Sequence, residues 1–221
     1  MNPLALADEM LDEGRRRVES LPPLPQPNHK QMCAEACMGN FVVGLLIVIF
    51  VGFGHLMSPA SVWLHLLHAE AAVAICCLIG LMFGDPGVVK RSLDTCLPLP
   101  DEVEQRLAAS GSLDEVDQLQ MQSNLKSDDG ERTFCVRCLV WRPMGCGDVH
   151  HCRICNRCVT HFDHHCGVFG RCIAGNGFGG NFGYFKVIIC MVPAALITVI
   201  CAINSGDKFR LPYNSTANGP W

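Results

Sequence analysis

Cys135-Val136-Arg137-Cys138 … His151-Cys152-Arg153-Ile154-Cys155-Asn156-Arg157-Cys158 … Asp163-His164-His165-Cys166 … Cys172 is the stretch whose reading decides this chain, with eight cysteines between residues 135 and 172. Cysteine ligates a metal, or attacks as a nucleophile, only as its thiolate. A C-x-x-C turn brings two sulfurs to one ion, and structural zinc takes four cysteine and histidine ligands in a tetrahedron. Cys135 and Cys138 form one such pair and Cys152 and Cys155 another, while Cys155 and Cys158 overlap the second. Ligand sets therefore cannot be assigned by simple order along the chain. The stretch supplies eight ligands for two ions and leaves Cys166 over. His150 precedes His151 and can substitute for it; His161 reads as a surface or supporting residue, and Cys146, between Gly145 and Gly147, as a loop thiol.

Fifteen cysteines in a short chain can also mean a disulfide scaffold. The opening Met1-Asn2-Pro3, followed by Asp8, Glu9, Asp12 and Glu13, is not a cleavable secretory signal. Cys76, Cys77, Cys190 and Cys201 lie in apolar runs, where cysteine acts as a small hydrophobe. The remaining cysteines cluster as C-x-x-C pairs with histidines nearby, so zinc is expected rather than disulfides.

Working outward, the composition is that of a membrane protein: 49% hydrophobic and 17% charged, against about a quarter charged in soluble domains. A net charge of −4 gives no footprint for nucleic acid. No charged residue stands between Glu35 and Glu70. That run exceeds the roughly 20 residues of one crossing and is broken at Ser58-Pro59. Spans are expected at about Met38–Leu56, Ser61–Phe83 and Val187–Asn204. Arg15, Arg16, Arg17 and Lys30 precede the first span, and Lys90, Arg91 and Lys186 flank the second and third. Basic flanks mark the cytosolic side, so the N-terminus and residues 85–186 are expected there, with the tail from Gly206 and its Asn214-Ser215-Thr216 sequon on the opposite side. Leu4, Leu6, Met10 and Leu11 form one weak amphipathic face, and Pro22, Pro23, Pro25 and Pro27 an extended connector, so residues 1–35 read as a poorly ordered tail. Residues 95–131 read as a linker with one short helix near Asp101–Ala109. Glu70 falls inside the second span, where a charge is costly and often functional; His65 and His68 are expected at the interface. Cys33 and Cys37, just before the first span, are juxtamembrane acylation candidates with a structural role expected first.

The surplus Cys166 follows Asp163-His164-His165. An imidazole can take a thiol proton, and a carboxylate can orient that imidazole. Successive strand residues point to opposite faces, so one of the two histidines can serve the nucleophile while the other holds metal.

These residues closely resemble the DHHC family of protein S-acyltransferases. Cys135-x2-Cys138, His151-Cys152-x2-Cys155-x2-Cys158, Asp163-His164-His165-Cys166 and Cys172 match its cysteine-rich domain in order. Arg142-Pro143 resembles its basic-Pro step, Asp85-Pro86-Gly87 its DPG motif, and Asn181 with Phe185 its N-x3-F. The resemblance covers roughly residues 38–205. It implies two interleaved structural zinc sites, one of Cys135, Cys138, His151 and Cys158, the other of Cys152, Cys155, His165 and Cys172. It implies Cys166 as the acylated nucleophile, His164 as base and Asp163 as its orienter. The implied activity is a palmitoyltransferase that takes a long-chain acyl group from acyl-CoA to cysteines of membrane-associated protein substrates, in endomembranes (ER or Golgi) or the plasma membrane.

The expected fold class is thus an α-helical multi-pass membrane protein with a small cytosolic, zinc-stabilised Cys/His-rich domain of short β-hairpins and loops. Its expected parts are a cytosolic tail over 1–37, two transmembrane helices over 38–84, the DPG motif and linker over 85–134, the zinc domain over 135–185, a third transmembrane helix over 186–205 and a luminal tail over 206–221. Four departures from the family pattern stand out. The gap between Cys138 and His151 is twelve residues, three longer than the family's; Gly167-Val168 replaces Pro-Trp; Gly175, Gly177, Gly179 and Gly180 expand the segment before Asn181; and the chain ends soon after the third span, without the family's fourth span and T-T-x-E motif. An incomplete gene product is expected on that ground. The alternative reading is a catalytically impaired or truncated membrane-anchored zinc scaffold.

Overall fold

The computed structural model describes residues 3–57, 61–110, 125–127 and 130–205. The break at Ser58-Pro59, residues 111–124 and 128–129 of the linker, the tail from residue 206 and its sequon lie outside the described residues. The chain folds as two units, Met1–Met38 with Gly84–Gly183 and Gly39–Phe83 with Tyr184–Trp221.

The second unit is built from long apolar helices. Helices α2 (His29–Met57), α3 (Val62–Phe83) and α6 (Phe182–Asn204) are each long and apolar enough to cross a membrane. (Helices α1 (Pro3–Glu19), α4 (Leu93–Cys96) and α5 (Asp101–Ser110) belong to the other unit, with the start of α2 through Met38.) Their outward faces carry Phe41, Val48, Val62, Ile79, Ile189 and Ile197, all exposed. Such a surface is stable only against hydrocarbon, since lipid tails and not water match it. Inward, Leu67, Ala195 and Val199 pack with Phe50 and Val51. Small residues set the close approaches: a Cβ on Gly54 would meet the side chain of Leu67 at 2.6 Å, and one on Gly80 the Tyr184 ring at 2.6 Å. Thr198 Oγ1 donates to Glu70 Oε1 at 2.8 Å, which answers half of that carboxylate.

Two of these helices start earlier than the apolar pattern predicts, at His29 rather than Met38 and at Phe182 rather than Val187. Hydropathy marks the lipid-matched part of a helix, not its ends. For α2 the true start is set by Asn28, whose Oδ1 accepts from Gln31 N at 3.2 Å, an N-cap bond that satisfies one of the helix's unpaired donors.

The first unit carries the cysteine-rich stretch as three two-stranded antiparallel hairpins: β1 (Phe134–Cys135) with β2 (Val140–Trp141), β3 (His150–Cys152) with β4 (Arg157–Val159), and β5 (Phe162–Cys166) with β6 (Arg171–Ala174). Strands this short are marginal alone. A small core of Val103, Phe134, Val136, Leu139 and Trp141 supports the first hairpin, with α4 (Leu93–Cys96) and α5 (Asp101–Ser110) alongside in sequence. Ser92 and Thr95 close α4 with a reciprocal capping box.

The N-terminal segment departs from the expected poorly ordered tail. Helix α1 spans Pro3–Glu19; Val18 packs beside Leu21 and Leu24 on the cluster around Cys96 and Cys135, and Gly14 lies close to Leu93. The anticipated face of Leu4, Leu6, Met10 and Leu11 is exposed instead. The proline-rich connector is bound as a strap. Arg91 Nη1 donates to Pro22 O at 2.7 Å, Arg157 Nη1 to Pro25 O at 2.8 Å, Asn156 Nδ2 to Gln26 O at 2.6 Å, and Asn28 N to Ile154 O at 2.9 Å. Proline has no N–H, so its carbonyl is the only backbone group it can offer, and guanidinium donors suit it.

Candidate metal centres and nucleophile

Each C-x-x-C pair is set by a tight turn whose next residue takes a left-handed conformation. Leu139 has φ 53° and Asn156 φ 49°. Asparagine tolerates this readily; Leu139 is held there while fully buried in the core. Within the second turn Cys155 N donates to Cys152 Sγ at 3.4 Å.

The hairpins bring eight residues into two groups, Cys135, Cys138, His151 and Cys158, and Cys152, Cys155, His165 and Cys172, with the candidate ligand atoms of each group within 4.8 Å of one another. The register explains the interleaving. His151 and Cys152 are neighbours on β3 and point to opposite faces, so each enters a different group; His151 faces Cys158 across the hairpin, and His165 faces Cys172 across the next. In the first group His151 Nδ1 lies 3.5, 3.2 and 4.0 Å from the sulfurs of Cys135, Cys138 and Cys158. In the second, His165 Nδ1 lies 3.4, 3.4 and 3.9 Å from those of Cys152, Cys155 and Cys172. Tetrahedral zinc with its usual bond lengths puts ligand atoms about 3.5–3.8 Å apart. Three soft sulfurs and one imidazole at this spacing fit a structural zinc ion, and each group could hold one metal.

The electrostatics agree. Hydrogen bonds from Cys138 and then Cys158 hold the Cys135 thiol far below the ordinary range, while Cys135 pushes Cys138 up to about 12 and Cys158 higher still. Cys155 and then Cys172 do the same for Cys152, with Cys155 pushed up to about 11 and Cys172 beyond it. Three thiolates so close to one another call for a cation between them.

His150 is outside both groups and stacks on Phe162, ring centroids 4.6 Å apart. His161, at φ 47°, donates its N–H to Cys146 O at 3.0 Å. Neither it nor Cys146 joins a group.

Cys166 ends β5, is 8% exposed, and belongs to neither group. His164 lies two residues before it, on the same face of the strand by alternation. A register shift between Phe162 and His164 leaves Asp163 as an extra residue, which re-aims its side chain. His164 Nδ1–H donates to Asp163 Oδ2 at 2.6 Å, because a carboxylate only accepts. That tautomer places the lone pair of the neutral ring on Nε2.

Other motif residues hold this arrangement together. Asn181, fully buried, donates Nδ2–H to Cys172 O at 2.7 Å and accepts from Ala174 N at 2.8 Å, pinning β6. Asp85 Oδ1 accepts from Gly87 N at 2.9 Å and Val88 N at 3.1 Å, a side-chain turn that leads Gly87 O to Thr160 N at 2.9 Å. Those backbone bonds hold the Asp85 carboxyl below its usual range, the one from Val88 most. Glu35 was read in sequence only as the border of the uncharged run; it accepts from His165 Nε2–H at 3.0 Å. The available signal was its spacing of four from Gln31, whose Nε2–H donates to it at 2.8 Å.

Three short hairpins thus carry two groups of zinc-type ligands, with Cys166, His164 and Asp163 outside both, in a chain with three helices long and apolar enough to cross a membrane. Residues 128–215 match the family model described as DHHC palmitoyltransferase, and the chain carries a domain of that family. It is 27% identical over 194 residues to the palmitoyltransferase erf2 of Emericella nidulans, across 79% of this chain and 32% of the relative. It is 30% identical over 172 residues to the probable protein S-acyltransferase 14 of Arabidopsis thaliana, across 74% and 52%, and 30% identical over 117 residues to the palmitoyltransferase ZDHHC17 of Danio rerio, across 53% and 15%. The chain spans about a third to a half of the length of the first two.

Proposed function

We propose that this chain is a protein S-palmitoyltransferase in which Cys166 carries the acyl group. The observation that carries this reading is a cysteine outside both ion sites, on the strand face of an imidazole that is itself held by a carboxylate at 2.6 Å. Structural metal has no use for that set.

His164 Nε2 takes the Cys166 proton, and Asp163 keeps the ring oriented and stabilises the imidazolium that results. The Cys166 thiolate attacks the thioester carbon of a long-chain acyl-CoA; the carbon–sulfur bond to CoA breaks, and the CoA thiolate leaves with a proton. A substrate cysteine thiolate then attacks the Cys166 thioester and regenerates the enzyme. One thioester replaces another in each half, so positioning supplies most of the rate. Zinc at the two groups would fix the hairpins and add to the small apolar core beside them. The apolar crevice lined by Val43, Phe50, Leu67, Ala71, Met191 and Ala195 suits an acyl chain. Palmitoyl-CoA, cysteine-bearing proteins at an endomembrane or plasma membrane, and a cytosolic zinc module complete the reading.

Alkyne-palmitate labelling of the full chain tests it. Wild type takes up a label released by hydroxylamine; Cys166→Ser takes up none. Asp163→Asn, with its zinc content unchanged, labels at least about 100-fold more slowly. Equal labelling of wild type and Cys166→Ser leaves the zinc scaffold as the reading instead.

A further inference from the structure

The two ion sites are not built alike. His165 in the second site donates Nε2–H to Glu35 Oε2 at 3.0 Å, whereas His151 Nε2 in the first is buried with no partner among the described residues. Glu35 is itself tightly held. Its Oε1 accepts from Gln31 Nε2 at 2.8 Å, Gln31 Oε1 accepts from Asn28 Nδ2 at 3.0 Å, and Asn28 Oδ1 accepts from Gln31 N at 3.2 Å. The His165 and Glu35 side chains are 10% and 16% exposed. A carboxylate so far removed from water is stable only with its oxygens answered, and both are.

The backbone makes the same contact. Gly170, at φ 65° in the turn between β5 and β6, lies so close to α2 that a Cβ there would run into the carbonyl of Met32 and to 2.9 Å from Ala36 N. A Cβ on Gly167, next to Cys166, would sit 3.8 Å from Glu35 Oε1. The hairpin that ends in Cys166 is thus seated on the first turns of α2, with the carboxylate beneath it.

We propose that Glu35 is a positioning residue for the second ion site: its carboxylate holds His165 as the Nε2–H tautomer, presents Nδ1 to the three sulfurs, and through them fixes strand β5. This rests on the zinc reading above. A metal-bound histidine commonly gives its other N–H to a carboxylate, which sets ring orientation and raises the basicity of the ligating nitrogen. Because β5 alternates, the ring that enters the ion site sets which way His164 and Cys166 face on the other side.

The test is zinc release from the purified full chain to a colorimetric chelator, with metal content measured beforehand. Wild type binds two zinc ions, and Cys155→Ala identifies the release attributable to the second site. Glu35→Ala speeds that release by about 10- to 100-fold and leaves the first site's unchanged. Glu35→Gln keeps an acceptor oxygen toward Nε2–H and shows a smaller increase, and it decides the matter if the alanine variant does not fold. Release unchanged in both variants overturns the role of Glu35 while the zinc reading stands. Equal acceleration of both sites also overturns it, since that is what loss of plain helix-to-hairpin docking produces. A wild-type chain that purifies without zinc overturns the reading beneath it.

Discussion

Single residues decide the geometry around Cys166. Asp163 reaches the His164 ring because the strand has one residue too many at that point. Gly170 matters by having no side chain: at φ 65° any other residue is strained, and its Cβ would enter the space held by Met32. Gly170→Ala should therefore lower the stability of the module by more than about 1 kcal/mol, seen as a lower midpoint in thermal unfolding of the zinc-loaded protein and not repaired by added zinc. Spacing made the C-x-x-C pairs and the Asp163-His164-His165-Cys166 run visible in sequence, because each is local; the division of the ligands into two groups came from the family resemblance. Glu35 was hidden for the opposite reason. It meets His165 across 130 residues, and only the docking of a hairpin on a helix reveals which acid is the partner.

At the scale of elements, the hairpins are short and lean on neighbours. The Asp85 turn feeds the backbone bond between Gly87 and Thr160, next to β4. Its carboxyl is held below the usual range in the folded chain, so its charge stabilises the fold above the ordinary carboxyl pKa, and that contribution disappears as pH falls through the lowered value. Asp85→Asn keeps the accepting oxygen but loses the charge. The stability difference between wild type and this variant should be largest near neutral pH and shrink on acidification, which denaturant titrations at stepped pH will show. The short α5 was expected near Asp101–Ala109, and the three apolar helices were legible from their composition. The start of α2 and the whole of α1 were not. Asn28 caps a polar first turn that hydropathy ignores, and α1 packs through Gly14 and Val18 rather than through its most apolar residues.

Across the molecule, two kinds of stability coexist. One unit buries its few large apolar side chains beside sulfur clusters; the other shows apolar residues outward, as a bilayer-spanning bundle does. They should fail separately. Removing both zinc ions with a chelator should unfold the hairpin unit and abolish autoacylation while the helical signal of the apolar unit persists in detergent. Circular dichroism paired with limited proteolysis checks this, and intact activity in metal-free protein would contradict it.

The alternate placement of His151 and Cys152 has a consequence for which length changes this gene can survive. Residues added at Met144 and Gly145, where a Cβ on Gly145 would meet nothing within 4 Å, only lengthen an excursion, and twelve residues already stand between Cys138 and His151. A single codon gained or lost between His151 and Cys158 is different: it slips β4 by one place against β3 and turns Cys158 away from His151. Natural indels should therefore accumulate in the first interval and be purged from the second.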